Sequence, residues 1–343
     1  MEPERPQAEE GAPPPVPTGE PAVREGRVAR WAFRAYRALG PELTVACIAL
    51  AVGALGLSAG LPLLLPDGPS LGFVERHYFR PLVVAFVAQV VLLAVRRDRS
   101  RSRVPMRDFA AALALVAVTI VVHFNLKAWM PLVHARLFDD ELMRVDRVFG
   151  DLVPALTALR RVLASGLGRL HVPVDPLYHG VFVAAFFVSF TAHALFDTPN
   201  GFRRVVLAAC LVLLIGGASY WILPAKGPFI YRPVESRLAE LTQRAMEARF
   251  DAFVATRVPP PGYFTAPLAA MPSLHTAHAT LFAIFAYRRL RWLFWPLALA
   301  LFWIVIEAVA AGWHYVVDLP VGVGIAFGCI RLATLLIPEP SGP

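Results

Sequence analysis

Residues 291–337 read RWLFWPLALALFWIVIEAVAAGWHYVVDLPVGVGIAFGCIRLATLLI: two apolar runs, 291–311 and 315–337, parted by Gly312-Trp-His314. Each run has the roughly 20 residues that cross a hydrocarbon layer as a helix, and each is apolar on every face rather than along one stripe. Backbone in lipid must satisfy its own hydrogen bonds, so such runs form helices. Six further stretches qualify, at 43–65, 80–95, 108–128, 177–197, 203–223 and 272–287, of which 80–95 and 272–287 are short. The fold class expected is therefore all-α, a polytopic integral membrane protein with about eight transmembrane helices. Composition agrees, because 57% of the 343 residues are apolar and 17% charged, against about 45–50% apolar in soluble domains. Disordered, collagenous and disulfide-scaffold classes are excluded. Cys47, Cys210 and Cys329 each lie inside an apolar run, with no metal-ligand spacing, and read as small buried apolar residues.

Charge fills in the connections. Residues 1–26 hold seven Pro and six Glu, too polar to offset their ordering entropy, and read as a disordered tail. Five Arg between Arg24 and Arg37 mix with Trp31, Phe33 and Tyr36, as in an interfacial helix or a plain juxtamembrane anchor. The short connection 96–107 carries six Arg against one Asp, and Arg203, Arg204, Arg288, Arg289 and Arg291 mark two more basic turns. The positive-inside rule places these, and both termini, on the cytoplasmic side of the cell membrane. The long, charge-mixed connections 129–176 and 224–271 then face outward, with amphipathic helices expected over 139–170 and 234–255. The net charge of +8 is thus explained by loops, with no nucleic-acid partner. Four divisions follow: tail 1–26, juxtamembrane helix and two spans 27–107, six-span core 108–337, and tail 338–343.

Three polar clusters fall on the expected outer side: Lys226-Gly-Pro-Phe-Ile-Tyr-Arg232-Pro233, Met271-Pro-Ser273-Leu-His275-Thr-Ala-His278, and Gly312-Trp-His314-Tyr-Val-Val-Asp318. Ionisable residues at span ends are costly and point to function. His314 and Asp318 are four apart, so they share a helix face, and the carboxylate can hold the Nδ1 proton and present Nε2 as a nucleophile. His275 can protonate a leaving oxygen. Lys226, Arg232 and the Ser273 hydroxyl can bind an anion such as phosphate. Together they describe phosphoryl transfer at a membrane surface with no metal or cofactor invoked.

These residues resemble the type 2 phosphatidic acid phosphatase superfamily, and specifically its inositol phosphorylceramide synthase-like branch. Pro272-Ser273-Leu274-His275 and His314-Tyr-Val-Val-Asp318-Leu are similar to the second and third family signatures, with Leu274 where the phosphatases have glycine. Asp140-Glu-Leu-Met-Arg-Val-Asp146-Arg-Val-Phe149-Gly150 is similar to an acidic amphipathic segment of that branch. The resemblance covers roughly residues 110–335. It implies a six-helix phosphatase-like core, His314 as a nucleophile forming phosphohistidine, Asp318 as its orienter, His275 as acid and then base, and Lys226, Arg232 and Ser273 as phosphate ligands. Two departures stand out: five residues rather than six separate Lys226 from Arg232, and the expected Ser-Arg pair upstream of His314 falls on Glu307-Ala308.

The function expected is a phosphoryl or phospho-headgroup transferase with a lipid phosphate donor and an alcohol or water acceptor. A lipid phosphate or polyprenyl pyrophosphate phosphatase and, in another class, a non-enzymatic lipid or headgroup transporter are the alternatives. Other polar residues stay open at this point. His278 lines the site, neighbours it, or makes a zinc pair with His275 that lacks a third ligand. Glu307 pairs with a core cation or gates a pocket. His123 and Lys127 receive a lipid phosphate, or Lys127 snorkels. His193 and Asp197 mimic the catalytic pair at the wrong end of a span and read as structural, while the tryptophans read as interface belt and packing.

Overall fold

The computed structural model describes residues 27–95, 104–134 and 136–339, with side chains from residue 40 onward. The expected tail 1–26, most of the basic connection 96–107 and residues 340–343 lie outside the described residues. Two compact units divide the chain at 1–40 and 41–343. Helix α1 (Arg27–Ser58) crosses that division and breaks at Gly40, where φ is 78°.

The second unit is helical throughout its described core, with no strand among the described residues. In chain order it holds α2 (Gly68–Val74), α3 (Arg80–Val95), α4 (Met106–Val133), α5 (Asp139–Val148), α6 (Leu152–Arg169) and α7 (Leu177–Phe196). Then follow α8 (Pro199–Ser219), α9 (Arg237–Thr256), α10 (Leu274–Arg289), α11 (Arg291–Ala310) and α12 (Asp318–Leu336). Among the described residues seven stretches are long and apolar enough to cross a bilayer: Gly40–Ser58, Gly68–Val95, Met106–Val133, Leu177–Phe196, Pro199–Ser219, Arg291–Ala310 and Asp318–Leu336. The chain is thus a polytopic membrane protein. The eighth expected span is α10, whose 16 residues reach only about 24 Å. Its flanks explain this: α10 packs on α7, α8, α11 and α12, and a helix enclosed by protein need not span the hydrocarbon itself.

The second span is longer than the run 80–95. It begins at Gly68 and passes through a π turn, Glu75–Phe79, in which the Arg80 N–H reaches the Glu75 carbonyl. Pro81 follows directly; it has no N–H and its ring crowds the carbonyl four residues back, so the turn before it widens. The N-terminus of α2 is capped by Asp67, which accepts from Ser70 N at 3.1 Å and also from Gly262 N. Through α3 this span packs on α7.

At the centre is α8, the most buried candidate span at 78%, contacting α4, α7, α10 and α12. Thr198 caps it, with Pro199 at its first position. Outward-facing apolar residues such as Leu55, Val91, Leu299 and Leu335 are exposed, as a lipid-facing surface requires. Cys210 and Cys329 are buried, but Cys47 is exposed on that surface, so only two of the three cysteines fit the buried reading. The expected amphipathic helices are α5, α6 and α9. Their packing is uneven: α6 lies along α11, which seats Arg160 in the interior at 5% exposure.

Candidate active site

The loop 311–317 is shaped by the end of α11. Gly312 takes φ 67°, a left-handed conformation natural to a glycine just past a helix, and a Cβ there would press on Phe229 and Val234 at 3.3–3.5 Å. The turn brings the N–H groups of Trp313 and His314 back to the Ala308 carbonyl at 3.0 and 2.9 Å. His314 stays in this loop and not on the helix expected to carry both residues, because the chain turns at Gly312 and becomes helical only at Asp318, which opens α12 where the helix dipole favours a carboxylate. Asp318 Oδ2 accepts from Tyr315 N at 2.9 Å and lies 3.3 Å from His314 Nδ1. A second acceptor, the Ala270 carbonyl, is closer to that nitrogen at 2.8 Å. With two acceptors around Nδ1, the ring proton sits there and Nε2 carries the lone pair. His314 lines a cavity of about 450 Å³.

His275 lines the same cavity from the first turn of α10, with its ring centroid 6.4 Å from that of His314. It is walled by Phe182 at 4.1 Å and Tyr178 at 4.9 Å, and Tyr178 in turn stacks on Trp313. Trp313 therefore belongs to the cavity wall rather than to an interfacial belt. Ser273 is fully buried and caps α10, accepting from Thr276 N and donating to Thr276 Oγ1 at 3.0 Å. The hydroxyl expected to bind phosphate is thus engaged in holding the helix that carries His275. His278 faces the cavity, but its Nδ1 and Nε2 lie 2.8 and 3.1 Å from the carbonyls of Leu274 and Ala209, the arrangement of a structural neighbour. Among the described residues no group of three His, Cys, Asp or Glu side chains could hold a metal.

Helix α12 meets the start of α10 at Gly322, where a Cβ would fall 2.4 Å from the Ser273 carbonyl oxygen. Backbone cannot swing aside as a side chain can. Gly322→Ala is therefore expected to destabilise the protein by about 2 kcal/mol and to lower turnover by separating His275 from the His314 loop. Thermal unfolding in detergent beside initial rates checks this; wild-type values for both would contradict the packing.

Lys226 lines the cavity, yet its Nζ pairs with Asp251 at 2.8 Å and Glu247 at 3.4 Å on α9. Arg232 does not line it. Its Nη2 donates to the Val309 carbonyl at 3.0 Å, and burial lowers its pKa against the opposing pull of Asp146. The loops that carry these residues are tied down by α5. Asp139 accepts from the backbone N–H of Lys226 and Gly227 at 2.9 and 2.8 Å and from the Tyr315 hydroxyl at 2.8 Å. Asp146 accepts from Val316 N at 2.7 Å. Burial pushes both carboxyl groups up from the ordinary range. The acidic segment therefore clamps the first and third clusters together.

Glu307, open at the sequence level, is 2% exposed and pairs with Arg160 of α6 at 2.8 Å; Arg160 also reaches Asp175 at 3.2 Å. His193 and Asp197 lie at the far end of α7, some 30 Å along the helix from Leu177. There Asp197 joins His193 Nδ1 at 2.7 Å and Arg289 at 2.8 Å. Burial would raise this carboxyl, but the hydrogen bonds from His193 and Arg289 outweigh it and lower it to about 2. The pair is a structural clamp.

The cavity also takes residues that sequence reasoning missed: Arg76 from the π turn, His179 beside Tyr178, and Arg249 from α9. Arg76 lies in a span that the family resemblance did not cover, and no local pattern marks Arg160, whose partner is 147 residues away. A family model described as the PAP2 superfamily matches residues 140–332, more than half the chain and every expected site residue. No curated protein and no solved structure matches.

Proposed function

The chain belongs to the PAP2 superfamily, a lipid phosphatase and phosphotransferase type of function, and from that premise we propose a membrane-embedded, metal-independent phosphotransferase of the inositol phosphorylceramide synthase-like branch. The observation that carries the reading is the pairing inside one cavity: His314, protonated at Nδ1 by its acceptors, lies 6.4 Å across from His275. His314 Nε2 attacks the phosphorus of a lipid phosphate. The P–N bond forms as the P–O bond to the leaving group breaks, and His275 gives its proton to the departing oxygen. In the second half-reaction His275 takes a proton from an alcohol or water, whose oxygen attacks phosphorus and releases the histidine. Lys226, which lines the cavity, supplies positive charge to the phosphoryl oxygens by exchanging its α9 carboxylates, while Arg232, outside the cavity lining, holds the end of α11 through the Val309 carbonyl. An acceptor alcohol makes the enzyme a synthase, and water makes it a phosphatase. The site faces the extracytoplasmic side of the cell membrane in this reading, because the short basic connections lie at the other ends of the spans.

The test is incubation of the purified chain with headgroup-labelled phospholipid and candidate alcohols, following where the label goes. Label on an alcohol is expected, with turnover unchanged by EDTA because no step uses a metal. Free phosphate alone would assign a phosphatase, and no covalent product would leave a headgroup-binding transporter. A loss in EDTA that Zn²⁺ restores would give the His275/His278 pair a metal.

A further inference from the structure

The cavity carries more positive charge than one phosphate at His314 calls for. Arg76, Lys127, Lys226 and Arg249 line it, and no Asp, Glu, Asn or Gln does so among the described residues. Lys226 is matched by Glu247 and Asp251. Lys127 is different. It sits within the apolar span Met106–Val133, and among the described residues no ion pair involves it. Its described contact is with the Tyr220 ring, 5.4 Å away. A cation at that depth is costly unless an anion meets it. One turn earlier on the same face is His123, which also lines the cavity. Its Nδ1 donates to the Leu213 carbonyl at 2.8 Å, leaving Nε2 as an acceptor. The ring packs closely on Gly217, where a Cβ would lie 3.0 Å from His123 Nδ1 and push the ring back.

We propose that Lys127 and His123 form a second subsite in the cavity, which binds a phosphate group other than the one His314 attacks. Lys127 donates to the oxyanion while His123 Nε2 accepts from a P–OH. A phosphate monoanion offers both partners at once; a carboxylate offers only the first. Both residues lie outside the segment 140–332 that the family model matches, so the subsite is a property of this chain's own third span. It rests on reading the cavity as the site of phosphoryl transfer, and it specifies what else the substrate or a co-bound molecule carries.

Two measurements on the full chain in detergent test it. In equilibrium dialysis against labelled inorganic phosphate, wild type and Lys127→Arg are expected to bind one more phosphate per chain than Lys127→Met. Equal stoichiometry in all three would overturn the subsite. In mixed micelles, the ratio of KM for a lipid with two headgroup phosphates to that for a lipid with one is expected to rise about 10-fold in Lys127→Met, the loss of one charge-assisted hydrogen bond. That result assigns the second phosphate to the lipid. A dialysis difference with an unchanged KM ratio assigns the subsite to a free phosphate. If wild type turns over no lipid while the dialysis difference persists, the proposed function fails and the subsite stands.

Discussion

His314→Ala is expected to lower turnover by at least ~10⁴-fold and to abolish any acid-labile protein-bound phosphate, since removing the proposed covalent nucleophile removes the path and not merely a contact. Among the described residues none of the other histidines that line the cavity has a carboxylate beside its ring as His314 has in Asp318. His275 is the other ring at the centre of the cavity, and His278 has both nitrogens on backbone carbonyls. Rates with labelled lipid, and phosphate counted on the quenched protein, measure the two effects; full activity in the variant would end the mechanism. Asp318→Asn makes a subtler case. In a serine-protease triad the equivalent change costs about 10⁴-fold because the ring loses its tautomer. Here the Ala270 carbonyl, at 2.8 Å, holds the Nδ1 proton more closely than Asp318 does at 3.3 Å, so a loss nearer 10²-fold is expected.

The second large effect is on stability. Arg160→Met strands Glu307 at 2% exposure, and breaking a buried ion pair from one side costs about 3–5 kcal/mol. Replacing both partners, as Arg160→Met with Glu307→Leu, is expected to recover most of the loss, because two apolar side chains need no compensation. Thermal unfolding of the two variants in detergent decides this. A double variant no more stable than the single one would show that the loss is not the stranded charge. The pair also accounts for a departure from the family pattern. Position 307 carries an acid where that pattern has serine, and an arginine arrives from α6 to match it. Arg160 is absent from the cavity lining, so it fastens α6 to α11 and is no replacement for the missing phosphate-binding arginine at Ala308.

Much of this arrangement is legible along the chain. The apolar runs mark the spans because a bilayer imposes length and composition locally, and the four-residue separation keeps His314 near Asp318, although a tight loop before α12 and not a shared helix face brings them together. The short span 272–287 is marked too, but its shortness makes sense only once α7, α8, α11 and α12 surround it. Ser273 shows the converse. Its hydroxyl suits a phosphate ligand and a helix cap equally well by residue type, and the folded structure engages it as the cap.

The sequence by itself thus determined the membrane class, most of the spans and the residues proposed to carry chemistry, because each depends on near neighbours in the chain: hydrophobic run length, residue types at close spacing and charge bias. Only the tertiary structure decided that Asp139 and Asp146 clamp two distant loops, that Arg160 answers Glu307, that Ala270 is the closer partner of His314, and that Arg76, His123 and Lys127 share a cavity with His275 and His314. Those contacts join residues dozens to more than a hundred positions apart. A buried charge takes whichever partner the packing of helices delivers, and no local pattern in the chain names it.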